Sequence, residues 1–436
     1  MRIALLILFS FFFSTWVKAQ VDNHYQRSSL YFYYGTSGGN LRDFDEMLES
    51  RGAEELKNNY HTFGMGYQNR FNDFILGAEI YQNNGVGMNF RDYKIDYRTT
   101  RIFLNVGYSF TEEGKFHLIH YMSMGLGSLN FEMLQHREPE SINDFLTDPA
   151  RGYILRKNNL HKGSQYFGVF LTEIGFQMGY DLIFPPYEEV ITLMSKFGYS
   201  FNPFEDSWVK QGVSFDNIQS GAFFRIGAGI SLPKSNYFYR DASLSAQLIY
   251  GLHFTRPSEL NQLLEQHGWR TFSGIPKNWG AKILGENRGN LYGVDLYNLA
   301  LSNQASDVYE QTLNSIRIYG NIGKKLYERK NFELSLLGGL GYGQLRYSML
   351  HLRKLDFPGL MDIPNYDGEL KKGGLMAKPE FILAYAMPLS KKKSLDIIYS
   401  VNAGYEMPIG NYKLADLKMT QFMNGPYVQF GLGVRP

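Results

Sequence analysis

Apolar and polar residues alternate with a period of two along most of the chain. In Leu76 to Tyr81, Leu76, Ala78 and Ile80 point one way, and Gly77, Glu79 and Tyr81 point the other. In Arg101 to Tyr108, Ile102, Leu104, Val106 and Tyr108 share a face, opposite Arg101, Phe103, Asn105 and Gly107. Such a period marks a strand with two unlike faces. Runs of this kind place strands near 26–36, 58–69, 73–83, 98–110, 115–133, 163–183, 188–202 and 219–232. A second set lies near 241–255, 276–287, 290–302, 311–327, 331–350, 373–388, 393–407 and 424–434. Short turns such as Asn69-Arg70-Phe71-Asn72, Glu112-Glu113-Gly114 and Pro185-Pro186 follow the even strands. Long connections at 37–57, 84–97, 134–162 and 203–218 follow the odd ones.

The two sets are copies of each other. Residue i matches residue i+216 without gaps over more than a hundred positions. Gly77-Ala78-Glu79-Ile80-Tyr81 matches Gly293-Val294-Asp295-Leu296-Tyr297, and Arg101-Ile102-Phe103 matches Arg317-Ile318-Tyr319. Gly125 and Gly127 match Gly341 and Gly343, and after a shift in loop length Gly198-Tyr199 matches Gly404-Tyr405. A constant offset over that distance is an internal duplication. The first long connection of each copy has a helical pattern, with Leu41, Phe44, Met47 and Leu48 on one face and Leu260, Leu263 and Leu264 on the other copy's face. Each reads as a small helix packing on a rim or capping an interior.

Alternation alone suits a soluble sandwich with one wet face as well as a barrel in lipid. Composition separates them. Aromatics are 16% of the residues, with 32 Tyr and 33 Phe, and a barrel uses them as girdles at both membrane interfaces. Mean hydropathy is −0.30, too polar for a helical membrane protein but normal where only alternate residues face lipid. Arg2, the apolar run Ile3 to Phe13, and Val17 and Ala19 predict a signal peptide over 1–19. The run is shorter than the ~20 residues a spanning helix needs. The expected fold is therefore all-β, a transmembrane antiparallel barrel, with one half at 20–235 and the other at 236–436. One merged barrel of sixteen strands is favoured, because the connection from Pro233 to Asp241 looks like a hairpin and local pairing costs little loop entropy. The alternative is two barrels of eight strands each.

Net charge is +2 and Cys is absent, so nucleic-acid binding, disulfides, thiol catalysis and Cys-based zinc sites are not expected. No His-x-His, His-Glu-x-x-His or Gly-x-Ser-x-Gly occurs, so no metal, cofactor or enzymatic activity is expected. The Gly-x-Gly pairs sit inside strands, where glycine allows close packing. Lys391-Lys392-Lys393 reads as a solvated turn. Glu79 and Arg101 lie at equal distances from the centre of the loop joining their strands, so antiparallel pairing puts both on one face. Asp295 and Arg317 repeat this. Two lumen ion pairs are expected there, either structural or tuning ion selectivity, with Asn105 and Asn321 as further lumen polar residues.

The signal peptide, the Gly-aromatic strands and the closing segment Gly425-Pro426-Tyr427-Val428-Gln429-Phe430-Gly431-Leu432-Gly433-Val434 resemble the bacterial outer-membrane β-barrel superfamily. The closing segment is similar to that family's C-terminal assembly signal, although the chain ends Val434-Arg435-Pro436 without a terminal aromatic residue. The resemblance implies residence in the cell outer membrane of a Gram-negative bacterium, and an even strand count with short turns in the periplasm puts both termini there. It also implies contact with outer-membrane lipid and lipopolysaccharide, and insertion by the barrel-assembly machinery. The expected function is a pore or transporter-like channel for small solutes. The alternative is a non-conducting structural barrel, with outer-membrane protein partners in a surface, assembly or secretion complex.

Overall fold

The computed structural model describes residues 26–39, 42–52, 59–71, 73–85, 88–111, 115–155, 169–184, 189–203, 209–210, 213–214, 220–234, 242–352, 362, 365–388 and 396–435. The proposed signal peptide and Lys391-Lys392-Lys393 lie outside these residues. Eight long strands form the first half: β1 (Gln26–Gly38), β2 (Asn59–Phe71), β3 (Phe74–Asn84), β4 (Tyr93–Ser109), β5 (Phe116–Gln135), β6 (Val169–Phe184), β7 (Glu189–Phe201) and β8 (Gly221–Lys234). Eight more form the second: β9 (Ala242–His253), β10 (Lys277–Asn287), β11 (Asn290–Gln304), β12 (Tyr309–Arg329), β13 (Phe332–His351), β14 (Gly368–Pro388), β15 (Asp396–Ile409) and β16 (Gly425–Arg435). Every strand expected from the alternation is present. The predicted rim helices are present too, as α1 (Arg42–Glu49) and, in the second copy, a helix at Ser258–Gln266.

Each half closes on itself. β1 pairs antiparallel with β8, Tyr31 opposite Gly229, and β9 pairs with β16, Ile249 opposite Gly431. The result is two eight-stranded barrels in place of the favoured merged barrel of sixteen strands. The reason lies in the interior. Glu79 on β3 binds Lys196 on β7, and Lys282 on β10 binds Glu380 on β14. Within an eight-strand ring these strands are diametrically opposed. Side chains bridge that width only in a barrel narrow enough for them to fill. Joining the first strand to the last closes a long loop, but each doubling of loop length costs only about 0.6 kcal/mol. That is small beside the cost of leaving buried charges without partners.

The outer wall carries the apolar face of the alternation. Leu104, Leu248, Ile322 and Leu340 are among its most exposed side chains. Tyr108, Phe110, Phe116 and Tyr180 stand outward at the short-turn rim of the first barrel, as an aromatic girdle does. Among the described residues, no helix is long and apolar enough to cross a membrane. The turn between β10 and β11 shows why the hairpins are tight. Arg288 and Gly289 both have positive φ, 51° and 78°, as a two-residue turn matched to strand twist requires. Gly125 and Gly341 occupy equivalent inward positions, where an added Cβ would lie 1.9 and 2.0 Å from the carbonyl oxygens of Ile102 and Ile318. These glycines let neighbouring backbones close up.

The barrels stand side by side. Near the short-turn rim, Leu30 and Tyr67 of the first pack on Leu244, Ala246 and Ile283 of the second. At the long-loop end the walls also meet through charge. Glu132 on β5 binds Lys371 and Arg346 of the second barrel, the latter at 3.3 Å. The short strand Gly152–Leu155 pairs with β5 and bridges to Asp367.

Candidate functional site

The first lumen holds a layered charge network. Lys196 binds Glu79, which also accepts from the Tyr31 hydroxyl at 2.7 Å. Arg225 donates to Glu173 through Nη2 at 2.7 Å and Nη1 at 3.1 Å, and Tyr81 donates to the same carboxylate. Nearer the short-turn rim, Asp181 accepts from Arg27 Nη2 at 2.7 Å, and His117 Nε2 stands 2.7 Å from its other oxygen. All these groups are buried. Interlocked side chains of this kind fill the space that a wider barrel would leave to water.

The second lumen rebuilds the network with other residues. Gly125 faces Leu171 across β5 and β6, and Gly341 faces Met376 across β13 and β14. Glu173 therefore corresponds to Lys378, a reversal of charge. Lys378 binds Asp295, the counterpart of Glu79, and also Glu380 at 3.1 Å. Lys282 and Glu380 stand where the first copy has Gly66 and Gly175. Arg317 binds Glu406, and Tyr319 donates to Glu406 at 2.6 Å.

The four predicted charges all point inward and are buried, but they do not pair as expected. Glu79 takes Lys196 and not Arg101. Arg101 Nη1 donates to Ser200 at 2.8 Å. Asp295 takes Lys378, and Arg317 takes Glu406. The antiparallel register puts Glu79 opposite Phe103 and Tyr81 opposite Arg101. The two predicted partners are thus diagonal neighbours on one wall, and each long side chain reaches across the lumen instead. Asn105 and Asn321 are also buried inward. Asn105 Oδ1 and both side-chain polar atoms of Asn321 have no protein partner, so water is their natural complement. Lys196, Glu173, Arg225, Lys282, Lys378, Glu380 and Glu406 were not anticipated. Their inward position was readable from alternation, but their partners were not. Among the described residues, no group of His, Asp and Glu has the arrangement of a metal site.

Above the second network the lumen turns apolar and is sealed. Leu299, Leu313, Leu345, Tyr347, Met349 and Met376 line the wall of one buried cluster. The lid comes from four segments. α2 (Ile142–Thr147) lies in the long connection after β5, so it belongs to the first barrel. α3 (Ser258–Gln266) follows β9, and α4 (Thr420–Met423) precedes β16. A small hairpin, Lys413–Leu414 with Leu417–Lys418, completes it. Ile142, Phe145 and Leu146, at helical spacing, enter the cluster beside Leu260, Leu264, Phe422 and Met423. Phe145 meets the Tyr347 ring edge-on at 5.7 Å.

Local chemistry explains why α2 forms there. Ser141 Oγ accepts from the Asp144 backbone N–H at 3.1 Å, and Asp144 Oδ2 accepts from the Ser141 backbone N–H at 3.0 Å. This capping box satisfies two end amides of a short helix. The second barrel then fixes the helix at both ends. Asp416 accepts from the Ile142 backbone at 2.8 Å, and Trp269 Nε1 donates to the Leu146 carbonyl at 3.2 Å. Tyr412 donates to the Gly343 carbonyl at 3.2 Å, and burial pushes its phenol up to about 12.

No protein-family model and no curated protein sequence matches the chain. Solved structures with a similar arrangement include Ail, the attachment invasion locus protein of Yersinia pestis. That likeness has 14% identity and a TM-score of 0.27, and covers 45% of this chain and 98% of Ail. The toluene transporter TodX of Pseudomonas putida matches at 11% identity and a TM-score of 0.22, over 96% of this chain and 90% of TodX. The toluene transporter TbuX of Ralstonia pickettii matches at 9% identity and a TM-score of 0.21, over 96% and 90%. Likenesses this distant carry no functional argument. The barrels themselves, with apolar walls outside and charge inside, are built as outer-membrane β-barrels are.

Proposed function

We propose that the chain is an integral outer-membrane protein of two non-conducting barrels that together hold a joint extracellular cap. The short-turn rims and both termini face the periplasm in this reading, and the long connections face outward. The seal over the second lumen carries it: Phe145 of the first half is fully buried in the mouth of the second barrel. A helix lent by one barrel to close the other makes the pair one structural unit. Its cap is the surface offered to outer-membrane or extracellular protein partners. Lipid and lipopolysaccharide would contact the walls, and the barrel-assembly machinery would insert both halves.

Planar-bilayer recording of the purified chain tests this. No stable single-channel steps are expected, before or after deletion of 138–150. Steps in the intact chain would establish the second reading, a channel for small solutes. That reading draws on the first lumen, where Asn83 Nδ2, Asn105 Oδ1 and Ser123 Oγ are buried without protein partners and invite water.

A further inference from the structure

The outer wall of the second barrel carries an apolar groove of about 590 Å³. It lies beyond Leu244, Ala246 and Ile283, the residues that meet the first barrel. One bank is a single row across the sheet. Phe332 faces Tyr385, Tyr385 faces Tyr399, Tyr399 faces Leu432, and Leu432 faces Leu248. All point outward. Beneath the groove, Ala384, Ser400 and Gly431 point inward, so the wall there is little more than backbone.

The row ends in charge. Arg329 faces Phe332 on the adjacent strand, at the short-turn rim, and Lys330 follows it in the turn. Both are exposed. Two other cations at this rim are paired: Lys325 binds Glu286, and Arg435 binds Glu333 at 2.7 Å. Neither Arg329 nor Lys330 has an ion-pair partner among the described residues. From Arg329 to Leu248 the row crosses five strand spacings, about 24 Å. The matching occupant is an amphiphile with a long apolar tail and negative charge at one end.

We propose that this groove binds one acyl chain of an anionic glycerophospholipid, whose phosphate sits against Arg329 and Lys330. The proposal rests on the membrane reading above and adds a selective lipid site to it. A partner protein or a second copy of the chain would need a broader complementary face. The groove instead runs between that row and a second one, Leu383, Val401, Phe430 and Tyr250, and the first row ends at Arg329 and Lys330.

The test is native mass spectrometry of the full chain released from bilayers. The bilayers contain equal phosphatidylglycerol and phosphatidylethanolamine with identical acyl chains. One retained phosphatidylglycerol per chain is expected, favoured about tenfold, as two surface cations permit. The double variant R329E/K330E should abolish the preference, and L432W, which fills the groove, should reduce retention of both lipids. Equal retention by the unsubstituted chain overturns the proposal, as does a preference that survives the double variant. So does a dimer whose crosslinks cover Leu432. Heat-shifted gel mobility of the same samples is read separately. A chain that is folded and inserted but unselective overturns the lipid site alone, and a chain that never inserts overturns the membrane reading.

Discussion

Lys196 crosses the full width of the first barrel to bind Glu79. The two strands that carry them are as far apart as an eight-strand ring allows. Both side chains are buried, so the pair stands on mutual neutralisation more than on net attraction. Lys196→Met leaves a buried carboxylate without its main partner and should cost about 3–5 kcal/mol. Adding Glu79→Gln to that variant should recover most of the loss. Urea titration of the refolded barrel, followed by heat-shifted gel mobility, measures both. Equal damage from the single and double variants would mean that the pair does not carry the interior.

The duplicated arginines predict an asymmetry. Arg101 and Arg317 are equivalent, and so are Ser200 and Glu406. Arg101 Nη1 donates to the Ser200 hydroxyl, and Arg317 pairs with the Glu406 carboxylate. Glu406→Ser therefore strands a buried guanidinium and should cost about 3 kcal/mol or more. Ser200→Ala removes the hydrogen bond from Arg101 and should cost roughly 1 kcal/mol. The same denaturant titration gives both values, and a larger loss at Ser200 would contradict the assignment of partners.

Removal of Phe145 should unseat the strap and leave both barrels closed. Phe145→Ala forfeits a buried aromatic, a loss of about 3–5 kcal/mol, confined to the cap. Limited proteolysis should then cut within 134–151, where the parent chain should resist. The heat-shifted mobility of the uncut barrels should stay unchanged. Resistance equal to the parent would show that α2 does not depend on this anchor.

Much of this architecture was legible in residue order. Alternation located the sixteen long strands of the described residues because each has one apolar face outward and one face toward the charged interior. The duplication pointed to two related halves, and parity put Arg101 on one face with Glu79 and Arg317 on one face with Asp295. The choice between one barrel and two was not legible from the local look of 233–241. It depends on contacts such as Lys282 with Glu380, made across a lumen between residues distant in sequence. The ion-pair partners were missed for the same reason. Parity assigns a face, and a long side chain then chooses among everything that faces it. The strap could have been glimpsed. Ser141 and Asp144 around Ile142, Phe145 and Leu146 form a capped amphipathic turn, but nothing in that turn says that it belongs to the other barrel's mouth.

Closure of each half on itself is the central claim, and disulfide trapping tests it most directly. The chain has no Cys of its own, so paired replacements report without background. Tyr34 faces Ile226 across β1 and β8, and Leu248 faces Leu432 across β9 and β16. Antiparallel partners lie at Cα separations of about 4.5–5.5 Å, within disulfide range. Oxidation of the folded protein in vesicles should trap both pairs, Tyr34→Cys with Ile226→Cys and Leu248→Cys with Leu432→Cys. A single merged barrel would instead join β1 to β16. It would leave both of these pairs reduced and trap Phe32→Cys with Leu432→Cys.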